Sequence, residues 1–270
     1  MKKNKILVLA MVPEDSWAAR EILVASATRL AASWSCKLIV VAAGVESGAD
    51  SFLGQVLEVM RSQAVDLIIL GKPGRMDPEA DSRRSWISGL MGAGDCPVLL
   101  LTQKLLEAHC PFASLLVPMS GESTLNPAVE WAINYGNSHQ VPVDLLHVTG
   151  RNGSEAGDLS LLGGMSDQFH HEYPGRIEQF VARASPYSSP SQKRIIRNFI
   201  HSTGDALEEI KKQVSRRSVG LLVIEIKGHM EPGRAKTVKE LLKSTDLPIL
   251  LVRSRGTGLA TLHVGLDFAA

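Results

Sequence analysis

An apolar run, Leu67-Ile68-Ile69-Leu70, is followed at once by Gly71-Lys72-Pro73-Gly74 and then by a polar loop to Arg84-Ser85. Glycines directly after a strand let backbone N–H groups approach an anion, and a hydroxyl at the start of the next helix adds a donor. Lys72 and Arg84 bring cations to the same stretch. The chemistry served by such a pattern is phosphate binding, so a nucleotide is the first ligand to consider. A worn copy lies further on, with Gly220 to Ile224 as the apolar run, then Glu225-Ile226-Lys227-Gly228 and a loop to Thr237. There Glu225 stands in place of the first glycine, and a carboxylate beside phosphate opposes binding unless it is neutralised.

Histidines form a second set. His147, His201 and His229 fall at or near the carboxyl ends of expected strands, the edge where open α/β sheets bind ligands, and His170-His171-Glu172 sits in a polar segment between them. Imidazole and carboxylate suit zinc, which makes His170, His171, His201 and His229 the candidate metal ligands. Adjacent histidines are also ordinary in solvated loops, and none of these spacings is diagnostic. No Gly-x-Ser-x-Gly, no His-Glu-x-x-His and no intact Walker loop is present, so no residues are assigned to catalysis; weak nucleotide hydrolysis is the most that is expected.

The elements that position these residues recur twice. In the first repeat the strand Lys5 to Val12 leads to a helix with Ala19, Ile22, Leu23, Ala27, Leu30 and Trp34 at helical spacing. Leu38 to Ala43 is the second strand. Gly44 to Asp50 is a short polar connection where a third strand would stand, which leaves this repeat one strand short. After a helix near Phe52 to Gln63 come the strand at Asp66 and the closing Cys96-Pro97-Val98-Leu99-Leu100-Leu101.

The second repeat opens with Leu115-Leu116-Val117-Pro118-Met119, followed by Ser120-Gly121-Glu122-Ser123 as turn and helix cap, and the strand Val143 to Val148. A Gly, Ser and Pro-rich insertion fills about 150–192. Ile195 to Ile200, a helix starting at Gly204-Asp205-Ala206, the strand from Val219 and the closing Leu247-Pro248-Ile249-Leu250-Leu251-Val252 complete five strands. Runs of four or five apolar residues bounded by turn signals fit strands buried on both faces of a parallel sheet. The expected division is 1–104, 112–254 and a tail, 255–270, in which Leu262, Val264 and Leu266 alternate as an edge strand would.

Composition narrows the classes. The 270 residues allow two ordinary domains, and 29 Lys plus Arg against 28 Asp plus Glu leave no global field for nucleic acid or an anionic membrane. Aromatic residues, 5% of the chain and scattered, offer no base-stacking platform. No stretch reaches the roughly 20 apolar residues of a bilayer span, and Met1-Lys2-Lys3-Asn4-Lys5 runs straight into a strand, so a cytoplasmic location is expected. Cys36, Cys96 and Cys110, odd in number, suit reduced thiols.

Taken in order, Ile6-Leu7-Val8, Leu115-Leu116-Val117-Pro118, Leu145-Leu146-His147-Val148 and the two closing Pro-containing strands resemble the universal stress protein family in its tandem form, from about Lys5 to Arg253. The resemblance implies two open five-stranded parallel sheets with helices on both faces, an internal pseudo-dimer or a homodimer paired through last strands, and a role in stress response. ATP-binding members carry Gly-x-x-Gly, nine residues, then Gly-Ser or Gly-Thr, with an acidic residue ending the first strand. Mapped here, Gly71, Lys72, Gly74 and Ser85 fit, whereas Arg84 stands at a glycine position and Met11 at the acidic one. In the second repeat Ser120 stands at the acidic position, with Gly228 and Thr237 the surviving motif residues. The implied ligand is an adenine nucleotide at the first repeat; the alternatives are an interaction scaffold that binds no nucleotide, or a small-ligand or metal pocket under the insertion.

Overall fold

The structure, a computed structural model, describes residues 6–11, 17–42, 49–72, 80–94, 96–102, 112–119, 126–149, 195–227 and 236–254. The insertion, the tail and Cys110 lie outside these residues, and so do the expectations placed on them. In chain order the described elements are β1 Ile6–Met11, α1 Trp17–Ser33, β2 Lys37–Ala42, α2 Ala49–Ser62, β3 Leu67–Gly71, α3 Ala80–Ala93, β4 Val98–Leu101, β5 Leu115–Met119, α4 Pro127–His139, β6 Val143–Thr149, β7 Ile196–Thr203, α5 Ala206–Arg216, β8 Leu221–Lys227, α6 Lys236–Ser244 and β9 Ile249–Ser254. The architecture is mixed α/β with mostly parallel strands, as the sequence pattern requires.

Two compact units emerge, Met1–Pro111 with Ile226–Leu266, and Phe112–Glu225 with Asp267–Ala270. In the first, the strand order is β2-β1-β3-β4-β9. β2, β1, β3 and β4 are parallel, while β9 joins β4 antiparallel with Val98 opposite Leu251 and Leu100 opposite Ile249. The chain steps from β1 to β2 on one side and then back past β1 to β3, so right-handed crossovers put α1 and α2 on opposite faces. Burial agrees: Leu7 to Leu9, and Leu67 to Ile69, are wholly buried on both faces. Removing each of these side chains from water contributes about 1.5–3 kcal/mol. Phe52 of α2 meets Trp86 of α3 edge to face at 5.1 Å, joining the two helices on their shared face. At the foot of this sheet the Asp66 carboxylate accepts from the Ile6 amide at 2.8 Å and fixes the start of β1 against β3.

The second unit orders its parallel strands β8-β5-β6-β7. β6 is therefore covered by β7, whereas β2, its counterpart in the first repeat, has no outer strand among the described residues. Val40 on β2 is 45% exposed in consequence. Among the described residues the first repeat has no strand corresponding to β7, and α2 begins at Ala49.

α4 begins differently from expectation. Its cap is Asn126, with Pro127 at the first helical position, and not Ser123. The Asn126 Oδ1 accepts from the amides of Ala128 at 2.9 Å and Val129 at 3.2 Å, which satisfies two of the donors a helix start leaves open. Gly136 lets α4 approach β7, since a Cβ there would lie 2.4 Å from the Ile195 Cγ2 and 2.7 Å from the Val141 carbonyl. Asp205 caps α5 as expected, accepting from the Glu208 amide at 3.0 Å.

Charge inside the second unit is concentrated on Asp144 of β6. A bulge in β7 between the pairs Val143↔Ile196 and Asp144↔Asn198 leaves Arg197 as the extra residue. Arg197 donates to the buried Asp144 carboxylate through Nε at 3.1 Å and Nη2 at 2.5 Å, Asn198 donates at 2.7 Å, and Arg217 Nη1 lies at 3.5 Å. Burial alone would raise the Asp144 pKa. The hydrogen bonds from Arg197 and Asn198, with the charges of both arginines, outweigh burial and hold it below the ordinary carboxylate value.

A group whose pKa is depressed on folding adds stability above its unfolded value and loses that stability as pH falls through the folded one. Asp144→Ala should therefore cost about 2–4 kcal/mol in urea unfolding at pH 7, toward the lower end because both arginines are partly exposed. The gap to the parent protein should narrow as pH drops below about 4.

Candidate functional site

In an open parallel sheet the ligand crevice lies at the carboxyl ends of the strands, where the chain leaves a central strand on one side and returns on the other. In the first unit that point falls between β1 and β3. Met11 pairs with Ala42 of β2, and Ala10 pairs with Leu70, so Met11 and Gly71 end neighbouring strands at one level. Met11 is 9% exposed, and Gly71 is half-buried. The described strand ends here are thus a thioether beside a glycine.

Arg84 and Ser85 lie within a helix and not ahead of one. The expected polar loop to Arg84-Ser85 is cut short, because α3 already begins at Ala80 and makes Arg84 its fifth residue and Ser85 its sixth. Only the first four amides of a helix lack an intrahelical acceptor, so the Ser85 amide is not among the donors that an anion meets at a helix start. The signal for the earlier start was in the sequence, since Asp77-Pro78-Glu79 is a proline-led helix opening. Gly74 lies outside the described residues.

Lys72 is engaged. Its amide donates to the Leu101 carbonyl at 2.7 Å. Its ammonium donates to the Thr245 carbonyl, to the Thr245 Oγ1 at 2.9 Å and to the Leu247 carbonyl at 3.1 Å. An ammonium has three donors, and all three are accounted for just past the last residue of α6. The positive charge also meets the negative end of that helix. Binding phosphate through Lys72 would require it to leave these acceptors.

The second unit has its own crevice, between β5 and β8, whose registers Leu115↔Leu221 and Leu116↔Leu222 fix the level. Glu225 near the end of β8 accepts a hydrogen bond from Asn126 Nδ2 at 3.0 Å. The same Asn126 side chain caps α4 with its oxygen, so the amide links the helix start to a carboxylate. The protein's own negative charge occupies this crevice. Asn126 was not singled out from the sequence, although Asn-Pro before an apolar helical stretch is a start signal that would have found it. Ser120 and Gly228 lie outside the described residues, and Thr237 falls in the first turn of α6, a part of the first unit.

Of the histidines, His170, His171 and His229 also lie outside. His201 of β7 pairs in register with His147 of β6, their ring centroids 5.6 Å apart. Among the described residues no group of three or more His, Cys, Asp or Glu is gathered to hold a metal. Cys36 and Cys96 are free thiols, and burial, helped by the nearby Asp66 charge, pushes the Cys96 thiol far above its ordinary pKa. Among the described residues no helix is long and apolar enough to cross a membrane.

The fold is that of universal stress proteins. It matches a universal stress protein from Archaeoglobus fulgidus with a TM-score of 0.54 at 12% identity, covering 92% of this chain and 88% of that one. It matches a putative universal stress protein from Pseudomonas aeruginosa equally well, with a TM-score of 0.54 at 13% identity and 93% of both chains covered. A third match, with the same score, identity and coverage, is a functionally unknown protein of Pseudomonas aeruginosa. At these identities the likeness is one of fold. Neither a family model nor a curated protein sequence matches the chain.

The Lys72 contacts carry a stability consequence. Lys72→Met should lower unfolding free energy by about 1–2 kcal/mol, read by thermal or urea denaturation, through loss of charge-assisted bonds at the end of α6.

Proposed function

We propose that this chain is a stress-response binding protein that takes an adenine nucleotide at the crevice between β1 and β3. The supporting observation is the alignment of Met11 and Gly71 at adjacent carboxyl strand ends, at the point where the chain changes direction across the sheet. A thioether next to a glycine accepts a flat, largely apolar ring and lets backbone come close to it. Backbone amides of the Gly71 to Gly74 turn and the Arg84 guanidinium are assigned to phosphate. Lys72 is assigned to α6. Binding, not turnover, is the role, and a cytoplasmic location goes with it. The antiparallel meeting of β4 and β9, the closing strands of the two sequence repeats, supports an internal pseudo-dimer.

Calorimetric titration of untagged protein with Mg-ATP tests the site. One saturable event per chain is expected, abolished by Gly74→Asp with the fold retained. Met11→Asp should tighten binding about tenfold by supplying a carboxylate acceptor, worth ~1.4 kcal/mol. Unchanged titration in Gly74→Asp would remove the site from consideration.

One set of contacts favours a second reading, that of an interaction scaffold. Glu225 occupies the second crevice and Lys72 is held by α6, which is how the edges would stand after nucleotide binding had been lost. On that reading the insertion carries the partner surface. Because β6 and β7 are parallel, the connection between them has to return along the full strand length, which takes a dozen or more residues. The informative variant therefore replaces 150–192 with a Gly/Ser linker of about 15 residues instead of deleting it. Retained folding with loss of co-purifying partner is the outcome expected, and an unaltered partner set would end the scaffold reading.

A further inference from the structure

We propose that the segment Leu262 to Leu266 of the carboxyl-terminal tail adds a strand to the outer edge of β2, parallel to it and within the same chain. The proposal involves neither crevice and is independent of nucleotide binding.

After Lys37, β2 reads Leu38-Ile39-Val40-Val41-Ala42, apolar on both faces, which is the composition of a strand with a neighbour on each side. It nevertheless stands at the end of the strand order, and among the described residues β1 is its one strand partner. Leu38, Ile39 and Val41 are half-buried and Ala42 is exposed. Among the described residues Val40 is the one large apolar side chain left exposed. The strand at the other end of the order is built differently. β7 carries Arg197, Asn198, His201, Ser202 and Thr203 and is bulged at Arg197; charge, polarity and a bulge are what keep an edge from taking another strand. β2 pairs with β1 in unbroken register and has no charge from Leu38 to Ala42. An apolar edge of this kind is a site for strand addition.

The tail has the matching pattern. Leu262, Val264 and Leu266 alternate with His263 and Gly265, giving one apolar face, whereas the central strands β1 and β3 are apolar on both. Alternation of this kind belongs to a strand covered on one face only, at the margin of a sheet. With its apolar row on the Val40 side, the segment covers that side chain. The path fits as well. β9 runs antiparallel to β4 and ends at Ser254, so the chain leaves it at the foot of the parallel strands, and a strand rising from there runs parallel to β2. From β9 past β4, β3, β1 and β2 to the next position is a distance of about 24 Å, at roughly 4.8 Å per strand. The chain from Ser254 to Leu262 spans about 26–29 Å when extended, enough to cross. Gly256 and Gly258 in that connection allow a close passage beneath the sheet.

Amide exchange in the full-length untagged protein, resolved residue by residue by NMR, tests the pairing. Alternate amides of β2 face β1, and the others face outward. In the parent protein the outward amides are expected to exchange at least about a hundredfold more slowly than unstructured chain, and Val264→Asp should remove at least about tenfold of that protection while β1 and β3 keep their parent rates. His263→Asp, on the opposite face of the segment, should leave the β2 amides as they are. Both substitutions lie outside the buried core, so the unchanged β1 and β3 rates also report that the fold is retained. The proposal is overturned by outward β2 amides that are unprotected in the parent, by protection that Val264→Asp leaves unchanged, as when another segment covers the edge, or by equal loss in His263→Asp. Protection that falls on dilution would place a second copy on the edge and overturn it too, as would an effect of Val264→Asp on β7 in place of β2.

Discussion

The constraint on which this molecule depends is burial of its central strands on both faces. β1 and β3 in the first unit, and β5 in the second, carry wholly buried aliphatic residues above and below the sheet. A polar group in such a strand has no water to reach and must be paired where it stands. Ligand chemistry is thereby driven to the carboxyl strand ends, and any charge further down has to be structural. The side chains obey this division. Met11, Gly71 and Glu225 are at or near strand ends, while Asp66 and Asp144, at the feet of their strands, are consumed by the Ile6 amide and by Arg197, Asn198 and Arg217.

The same constraint explains why the two repeats differ most at their margins. Buried strand cores tolerate only similar apolar residues, so Leu67 to Leu70 and Leu221 to Ile224 have stayed alike. At the edges the packing requirement ends. There the first repeat has no counterpart of β7 among the described residues, with Val40 of β2 half in solvent, and the second carries Glu225 where the first has Gly71. An asymmetric pair of sites on one repeated scaffold is what this freedom permits.

Much of the fold was legible because it follows from local pattern. Four apolar residues between turn signals gave the strands, and Asp205 announced α5. What was not legible depends on partners distant in the chain. Lys72 reads as a phosphate ligand in a glycine turn, but its acceptors Thr245 and Leu247 are more than 170 residues away, and no local rule couples them. The Asp144 lock requires a bulge at Arg197, beyond the insertion, and an alternating strand pattern contains no trace of it. The starts of α3 and α4 are a different case: Asp77-Pro78 and Asn126-Pro127 are local start signals, competing with Ser85, which fits the phosphate-motif spacing, and with Ser123, which follows a glycine turn.

The contrast between the two crevices bears on what the chain can respond to. At the first crevice the strand ends carry Met11 and Gly71, neither of them charged; at the second a carboxylate is already hydrogen-bonded to the cap of α4. Two charges of one sign at about 4 Å oppose one another by roughly 1 kcal/mol in water and several-fold more where water is excluded. That disfavours an anion beside Glu225 without any change in fold. The two repeats thereby present different charge at corresponding strand ends of one architecture.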